Sequence, residues 1–306
     1  MSVPSQAVQS SERVKALTRL TRQLHARSRV ASTVLWIIAA IVTIVFVAII
    51  IDLLVQGVPY MINPDFYAAQ GGSGTIGQQF FNTIYILVLS EIILIPISLA
   101  AAIYLTEYAR QGPLVSAIHF AAETLAGVPS IVLGLFGAIV FVTTFHLELS
   151  RLSGALTLLC LNFPMALRLF EDALTSVPRE MREGGLALGS TKWHVIRTVV
   201  LPSALSGIVT SIILSAGKII AEAAALIYTM GTANPANVLT LNPLISGDTL
   251  TIHIWAYETV SAGDVPTNVA TAVSAGSAAL LIIILLVINI VARTVGRIVQ
   301  RAVTAA

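Results

Sequence analysis

Residues 171–205 read EDALTSVPREMREGGLALGSTKWHVIRTVVLPSAL. This is the least membrane-like stretch of an otherwise apolar chain, charged and amphipathic, and far too polar to cross a bilayer. Pro178 suits a first helical turn. From Pro178 to Leu188 the pattern predicts a short helix with Arg179, Glu180, Arg182 and Glu183 in water and Met181, Leu186 and Leu188 on its apolar side. Gly189 then permits a left-handed cap or sharp turn. A second helix starts at about Lys192, and Pro202 marks its entry into the next apolar run.

In both directions from this segment the composition changes sharply. Of 306 residues 56% are hydrophobic and only 10% charged, with a mean hydropathy of +0.89, whereas a soluble domain carries roughly a quarter charged residues. The bilayer is the natural solvent for such a chain. The sequence predicts an all-α, polytopic membrane protein with about six spans, near 30–54, 80–104, 114–143, 152–170, 199–230 and 273–292. The fifth is long and interrupted by Lys218 and Glu222, so two shorter pieces are an alternative. The first is too long for a cleaved signal and follows a basic arm, residues 1–29, carrying Arg13, Lys15, Arg19, Arg22, Arg27 and Arg29.

Basic residues favour the cytoplasmic side. With the N-terminus inside, the arm, Arg110, the 168–198 segment (Arg168, Arg179, Arg182, Lys192, Arg197) and the tail (Arg293, Arg297, Arg301) all lie inside. Of the 17 basic residues only Arg151 falls outside, and Lys218 falls within a span. Both termini are therefore expected in the cytoplasm. The long outer loops, 57–79 and 231–266, contain no Lys or Arg. They are rich in Gly, Pro, Asn and Thr, carry Asp65, Asp248, Glu258 and Asp264, and are either connections or a docking surface for an external partner. The single cysteine, Cys160, sits in an apolar run and suits a small buried residue.

The opening segment resembles the cytoplasmic signature of ABC importer permeases, E-A-A-x-x-x-G, nine residues, then I-x-L-P. Here it is Glu183-Gly184-Gly185, Gly189 and Val199-Val200-Leu201-Pro202 at matching spacing. Glycines replace the two alanines, which should loosen the helix by about 1 kcal/mol each. Further stretches are similar to the phosphate-importer permeases of the PstA type. They are Glu123-Thr124-Leu125-Ala126-Gly127-Val128-Pro129-Ser130-Ile131-Val132, Gly134-Leu135-Phe136-Gly137, 152–158, Ala187-Leu188-Gly189-Ser190-Thr191-Lys192-Trp193, Asn82-Thr83, and Ala101-Ala102-Ile103-Tyr104-Leu105-Thr106-Glu107-Tyr108-Ala109. The resemblance covers about 75–292 and implies a type I, MetI-like permease core. It leaves the arm, the first span (30–54) and a basic tail (293–306) outside. It also implies that Glu183, Gly184, Gly185, Gly189, Leu201 and Pro202 couple the spans to an ATPase.

Charges inside a span need partners or a wet path, because each costs at least about 2.5–3.5 kcal/mol at mid-bilayer. Lys218 and Glu222 stand at i, i+4 and can share a helix face, either as a structural ion pair or as a polar site on the conduction path. The family shows G-R-x-x-G-E-T where this chain has Gly217-Lys218-Ile219-Ile220-Ala221-Glu222-Ala223. Lysine keeps the charge but loses the bidentate fork that suits phosphate. Arg168 and Glu171, at i, i+3, match a family pair associated with transport and also suit an interfacial pair snorkelling to water. Glu91 lies within the second span and matches no family feature. It faces the partner permease or the pore, or is protonated as buried carboxyls often are. Glu123 matches the family near a span edge. Pro129 should kink the third span while Gly127, Gly134 and Gly137 allow close helix approach.

The sequence contains no G-x-x-x-x-G-K-[ST], no H-E-x-x-H and no G-x-S-x-G, and its five histidines form no ligand set. A non-catalytic permease subunit is expected, with no cofactor or metal of its own and no nucleic-acid role, in a bacterial or archaeal plasma membrane. The resemblance implies alternating access for phosphate, a second permease of the PstC type, two ATPase subunits of the PstB type that bind the ATP, an external phosphate-binding protein of the PstS type, and lipid around the spans. A permease for another oxyanion or solute is the alternative that Lys218 favours. An ion-coupled secondary transporter would show an inverted repeat, and none is visible.

Overall fold

The computed structural model describes residues 5–68, 75–232, 239–259 and 266–304, with side chains described from residue 28 onward apart from 268 and 299–304. Arg13, Lys15, Arg19, Arg22, Arg27, Arg301 and Asp264 therefore lie outside the described side chains. Among the described residues there are helices and no strand. α1 is Ser5–Met61, α2 Gly77–Ile103, α3 Pro113–Ala126, α4 Ser130–Gly137, α5 Arg151–Thr175 and α6 Arg179–Ala187. α7 is Lys192–Val195, α8 Leu201–Ala221, α9 Ala224–Thr229, α10 Leu250–Thr259 and α11 Thr267–Thr304. Wide i→i+5 turns extend α2 over Tyr104–Tyr108, extend α4 over Ala138–Thr144, and join α7 to α8 over Ile196–Val200.

Among the described residues, five helical stretches are long and apolar enough to cross a membrane: Ser28–Met61, Gly77–Tyr108, Arg151–Thr175, Lys192–Ala221 and Val269–Ile298. The chain divides into two units, Met1–Leu53 and Leu54–Ala306. In the first, the apolar side chains from Val30 to Ile51 are exposed except Ile50, Trp36 most of all at 75%. The second is built around α5, whose Ala155, Leu158, Ala166, Leu167, Phe170 and Leu174 are almost completely buried. α2 and α8 flank α5, α4 packs on α9 and α5, and α11 lies along α8 and α10.

The third span differs from expectation. Instead of one kinked helix, α3 and α4 meet at 101°. Pro129 disfavours helical geometry at Val128 and cannot donate a backbone hydrogen bond. Its carbonyl accepts from Val132 and Leu133 N–H, so it starts a new helix. Close approach is as expected at Gly134, where an added Cβ would lie 2.7 Å from the Ala225 Cα, and at Gly137, where it would lie 2.1 Å from the Thr157 Oγ1, but not at Gly127, where it would meet only the Thr124 and Glu123 carbonyls at 3.5 and 3.8 Å.

The bent pair returns the chain from one end of the second unit to the other. At one end of the second unit, Gln79 and Asn82 near the start of α2 bond to Asp248, and Arg151 and Leu152 at the start of α5 donate to the Ile245 and Pro243 carbonyls. At the other end, Glu107 just beyond α2 and Leu174 near the end of α5 both bind Arg182 of α6. α2 and α5 therefore run the same way, and residues 109–150 must return between them. Neither α3 nor the α4 arm, at about 20 Å each, spans a core of about 30 Å alone, and the return uses both arms together with the loops that flank them.

The fifth span begins earlier than expected and stops at Ala221. Pro202 sits inside continuous helix, directly after the Ile196–Val200 wide turn. Such a turn absorbs the missing N–H and the ring clash that proline imposes.

Candidate coupling segment and charged path

α6 is the predicted short helix, with Pro178 at its N-cap. Gly189 has φ +81°, the left-handed turn its sequence position calls for. The two substituted glycines differ from each other. An added Cβ would meet nothing within 4 Å at Gly184, but would lie 2.9 Å from a Val195 methyl at Gly185. Gly185 thus lets α6 sit directly on α7. The predicted polarity of α6 is partly inverted. Met181, Leu186 and Leu188 are exposed, together with Trp193 across the turn, whereas Arg182, expected in water, folds underneath.

Arg182 is the centre of this region. Its Nε donates to Glu107 Oε1 at 2.9 Å, and its two Nη atoms donate to the carbonyls of Val177 and Leu174. The side chains of Arg182 and Glu107 are only 19% and 8% exposed. Lys192, beyond the Gly189 turn, donates to the Glu107 carbonyl and stacks over the Tyr108 ring at 5.1 Å. The turn's two flanks therefore grip one residue at the end of α2. Nothing in the sequence signals that Arg182, Lys192, Glu107 and Tyr108 meet.

Neither predicted pair of path charges forms. Arg168 binds Glu123 and Asp172, each at 3.6 Å, while Glu171 binds His119 at 3.1 Å. Helical spacing placed Arg168 and Glu171 together, but α3 supplies better-placed partners for both. Arg168, Glu171 and Glu183 line one open cavity of about 600 Å³, with Glu107, His119, Asp172, Arg179 and Arg182. Lys218 and Glu222 lie towards the α10 end instead. The helix ends before Glu222, whose backbone is extended and whose Oε1 accepts from Ala225 N–H. Its carbonyl accepts from Thr251 Oγ1. Lys218 makes no ion pair among the described residues and is half-buried.

Other buried polar groups bind within the chain. Glu91 faces α8, where Ser215 Oγ donates to it at 2.6 Å. Arg151, expected to be an outer-loop charge, is 1% exposed. It donates to the carbonyls of Thr240 and Asn242 and lies against the Tyr85 and Phe81 rings, at 5.0 and 5.6 Å. Asp248 accepts from Gln79 and meets His253 Nδ1 at 2.8 Å. Among the described residues, no cluster of His, Cys, Asp or Glu is placed to hold a metal ion.

A helical core around one central span, with a short exposed helix between two spans, is the architecture of a polytopic membrane protein. The chain belongs to the family of binding-protein-dependent transport system inner membrane components, whose model matches residues 94–305. It is 34% identical over 291 residues to the probable ABC transporter permease protein YqgI of Bacillus subtilis, covering 90% of this chain and 97% of that one. It is 33% identical over 217 residues to the phosphate transport system permease protein PstA 2 of Mycobacterium bovis, covering 70% and 69%. A PstA homolog of Mycoplasma pneumoniae is 35% identical over 190 residues, covering 60% and 29%. Among solved structures, an inward-facing MetNI methionine ABC transporter matches with TM-score 0.57 at 19% identity, covering 73% and 95%. A bacterial ABC transporter involved in alginate import matches with TM-score 0.59 at 15% identity, covering 85% and 96%. These structures share its fold. The chain is a multi-pass permease subunit of an ABC importer, a class whose ATPase and solute-binding protein are separate subunits.

Proposed function

We propose that this chain is a PstA-type permease that conducts inorganic phosphate inward by alternating access, paired with a PstC-type permease, two PstB-type ATPases and a PstS-type external binding protein. The observation that carries it is the construction of α6. The helix exposes Met181, Leu186 and Leu188 to a partner on one side, and on the other Arg182 binds the ends of α2 and α5. Such an element can receive an ATPase movement and pass it on as shear of packed helices. The α6 end is then cytoplasmic, and so are both termini. Lys218, unpaired on the way through, and Arg168 supply positive charge for an anion.

Phosphate is favoured by the PstA relatives and by the stretches around Glu123 and Gly189. A permease for another solute is favoured by lysine at 218 and by the two carboxylates, Glu123 and Asp172, that bind Arg168. The test is radiolabelled phosphate uptake by the complete complex in proteoliposomes. Disrupting Glu183 and Gly189 together should stop uptake while the chain stays in the membrane. Lys218→Ala should stop uptake yet keep the ATPase bound. Wild-type complex that hydrolyses ATP but moves no phosphate refutes the solute assignment, and normal uptake by the Glu183/Gly189 variant refutes the role of α6.

A further inference from the structure

We infer that Arg182 is the positioning residue that makes α6, the end of α2 and the end of α5 move as one body. This inference rests on α6 being the segment the ATPase drives. Most arginines on a short surface helix make one weak exposed contact. Arg182 uses its guanidinium in three directions at once, to Glu107, Leu174 and Val177. The last two are carbonyls at and just beyond the C-terminus of α5, where helical acceptors lack partners and positive charge is favoured. The Glu107 side chain is only 8% exposed, at the edge of the open cavity, so withdrawing Arg182 removes its ion-pair partner from a carboxylate that is mostly out of water.

Lys192 reinforces the same point from the far side of Gly189, through the Glu107 carbonyl and the Tyr108 ring. A displacement of the 179–192 hairpin therefore has to carry residue 107 with it or break a charge-assisted set. A lysine at 182 has the charge but not the planar fork that reaches three acceptors. The cavity beside this joint is lined by Gln111 and Thr175, on the α2 and α5 sides, so its access reports whether the spans have followed α6.

The experiment uses the complete importer complex with Cys160→Ala, which removes the single native cysteine, and Gln111→Cys as reporter. Maleimide labelling of Cys-substituted 111 is timed with and without MgATP, beside ATP hydrolysis and solute uptake. With Arg182 present, MgATP should change the labelling rate several-fold. In Arg182→Ala, hydrolysis should stay within about two-fold of its starting value, while the ATP-dependent labelling change disappears and uptake falls at least ten-fold. Arg182→Lys should restore little of it. If Arg182→Ala does not assemble, Glu107→Gln decides, because it keeps the shape and removes the counter-charge; it should show the same split.

An ATP-driven labelling change that survives in both variants overturns the proposal. So does a loss of hydrolysis, labelling and uptake in equal proportion, which is what simple misfolding gives. Labelling follows ATP and not the solute, so a wild-type complex that moves no phosphate refutes only the solute assignment. A wild-type complex with no ATP-dependent labelling change refutes the role of α6 itself.

Discussion

Three glycines within six residues of each other should respond to alanine in three different ways. Gly184 has open space around it, so Gly184→Ala keeps only the gain in helix propensity, about 1 kcal/mol. That corresponds to a roughly five-fold rise in α6 protection against hydrogen exchange. Gly185→Ala has the same gain, but its Cβ would lie 2.9 Å from a methyl of Val195, which is buried and stiff at χ1. Overpacking of that kind costs about 1–3 kcal/mol. Net of the propensity gain, protection should be unchanged at best and about 30-fold lower at worst. Gly189→Ala meets no atom but must adopt φ +81°, which costs about 1 kcal/mol and shortens the helix from its C-terminal end. The assay is exchange mass spectrometry on peptides covering 179–189 in the assembled complex. Equal rises for Gly184→Ala and Gly185→Ala would show that α6 does not rest on Val195. Unchanged protection in Gly189→Ala would remove the left-handed turn.

Gly137→Ala should lower the thermal stability of the solubilised complex by an overpacking cost of about 1–3 kcal/mol, because its Cβ would lie 2.1 Å from Thr157 Oγ1. Adding Thr157→Ala should recover most of it, and no recovery would place the strain elsewhere. Arg151→Ala should free residues 239–249, since it removes the donor to two carbonyls and a cation stacked on two aromatic rings, together about 3–5 kcal/mol. Limited proteolysis of that segment should quicken at least ten-fold, and an unchanged cleavage rate would mean Arg151 does not hold it.

Much of the fold was legible because bilayer crossing is a one-dimensional requirement. A run of about 20 apolar residues announces itself whatever its neighbours do. Gly189 and Pro178 were equally legible, because their backbone limits are local. The bend at Pro129 was legible but its size was not, because a proline and nearby glycines do not distinguish a kink from a 101° turn; the choice depends on where α5 and α9 leave room. The charged pairs failed for a related reason. Helical spacing can bring Lys218 to Glu222 only if the helix continues, and it stops one residue short. Spacing can bring Arg168 to Glu171 only if no other helix competes, and α3 brings both Glu123 and His119. Helical periodicity puts Arg182 in water because it sees one helix at a time, while its partner Glu107 lies 75 positions away.

Arg168 and Arg182 line the same cavity, yet their surroundings assign them opposite behaviour. Arg168 is 64% exposed and its two carboxylate contacts are long, 3.6 Å each. Pairs of that kind contribute about 0–1 kcal/mol and are screened once the Debye length falls to about 3 Å near 1 M salt. A multiply charged anion can therefore displace them, as the proposed path requires. Arg182 is bound at 2.9 Å to a nearly buried carboxylate, and removing one partner of such a pair costs about 3–5 kcal/mol. The difference can be read by modifying arginines with phenylglyoxal and quantifying each site by mass spectrometry. Arg168 should react at least ten-fold faster than Arg182. Raising KCl from about 0.1 to about 1 M should speed the reaction at Arg168 and leave Arg182 unchanged. Glu107→Gln should make Arg182 reactive, and inorganic phosphate should slow the reaction at Arg168 alone. Equal reactivity at the two sites would refute the division of roles, and phosphate protection at Arg182 instead of Arg168 would reverse it.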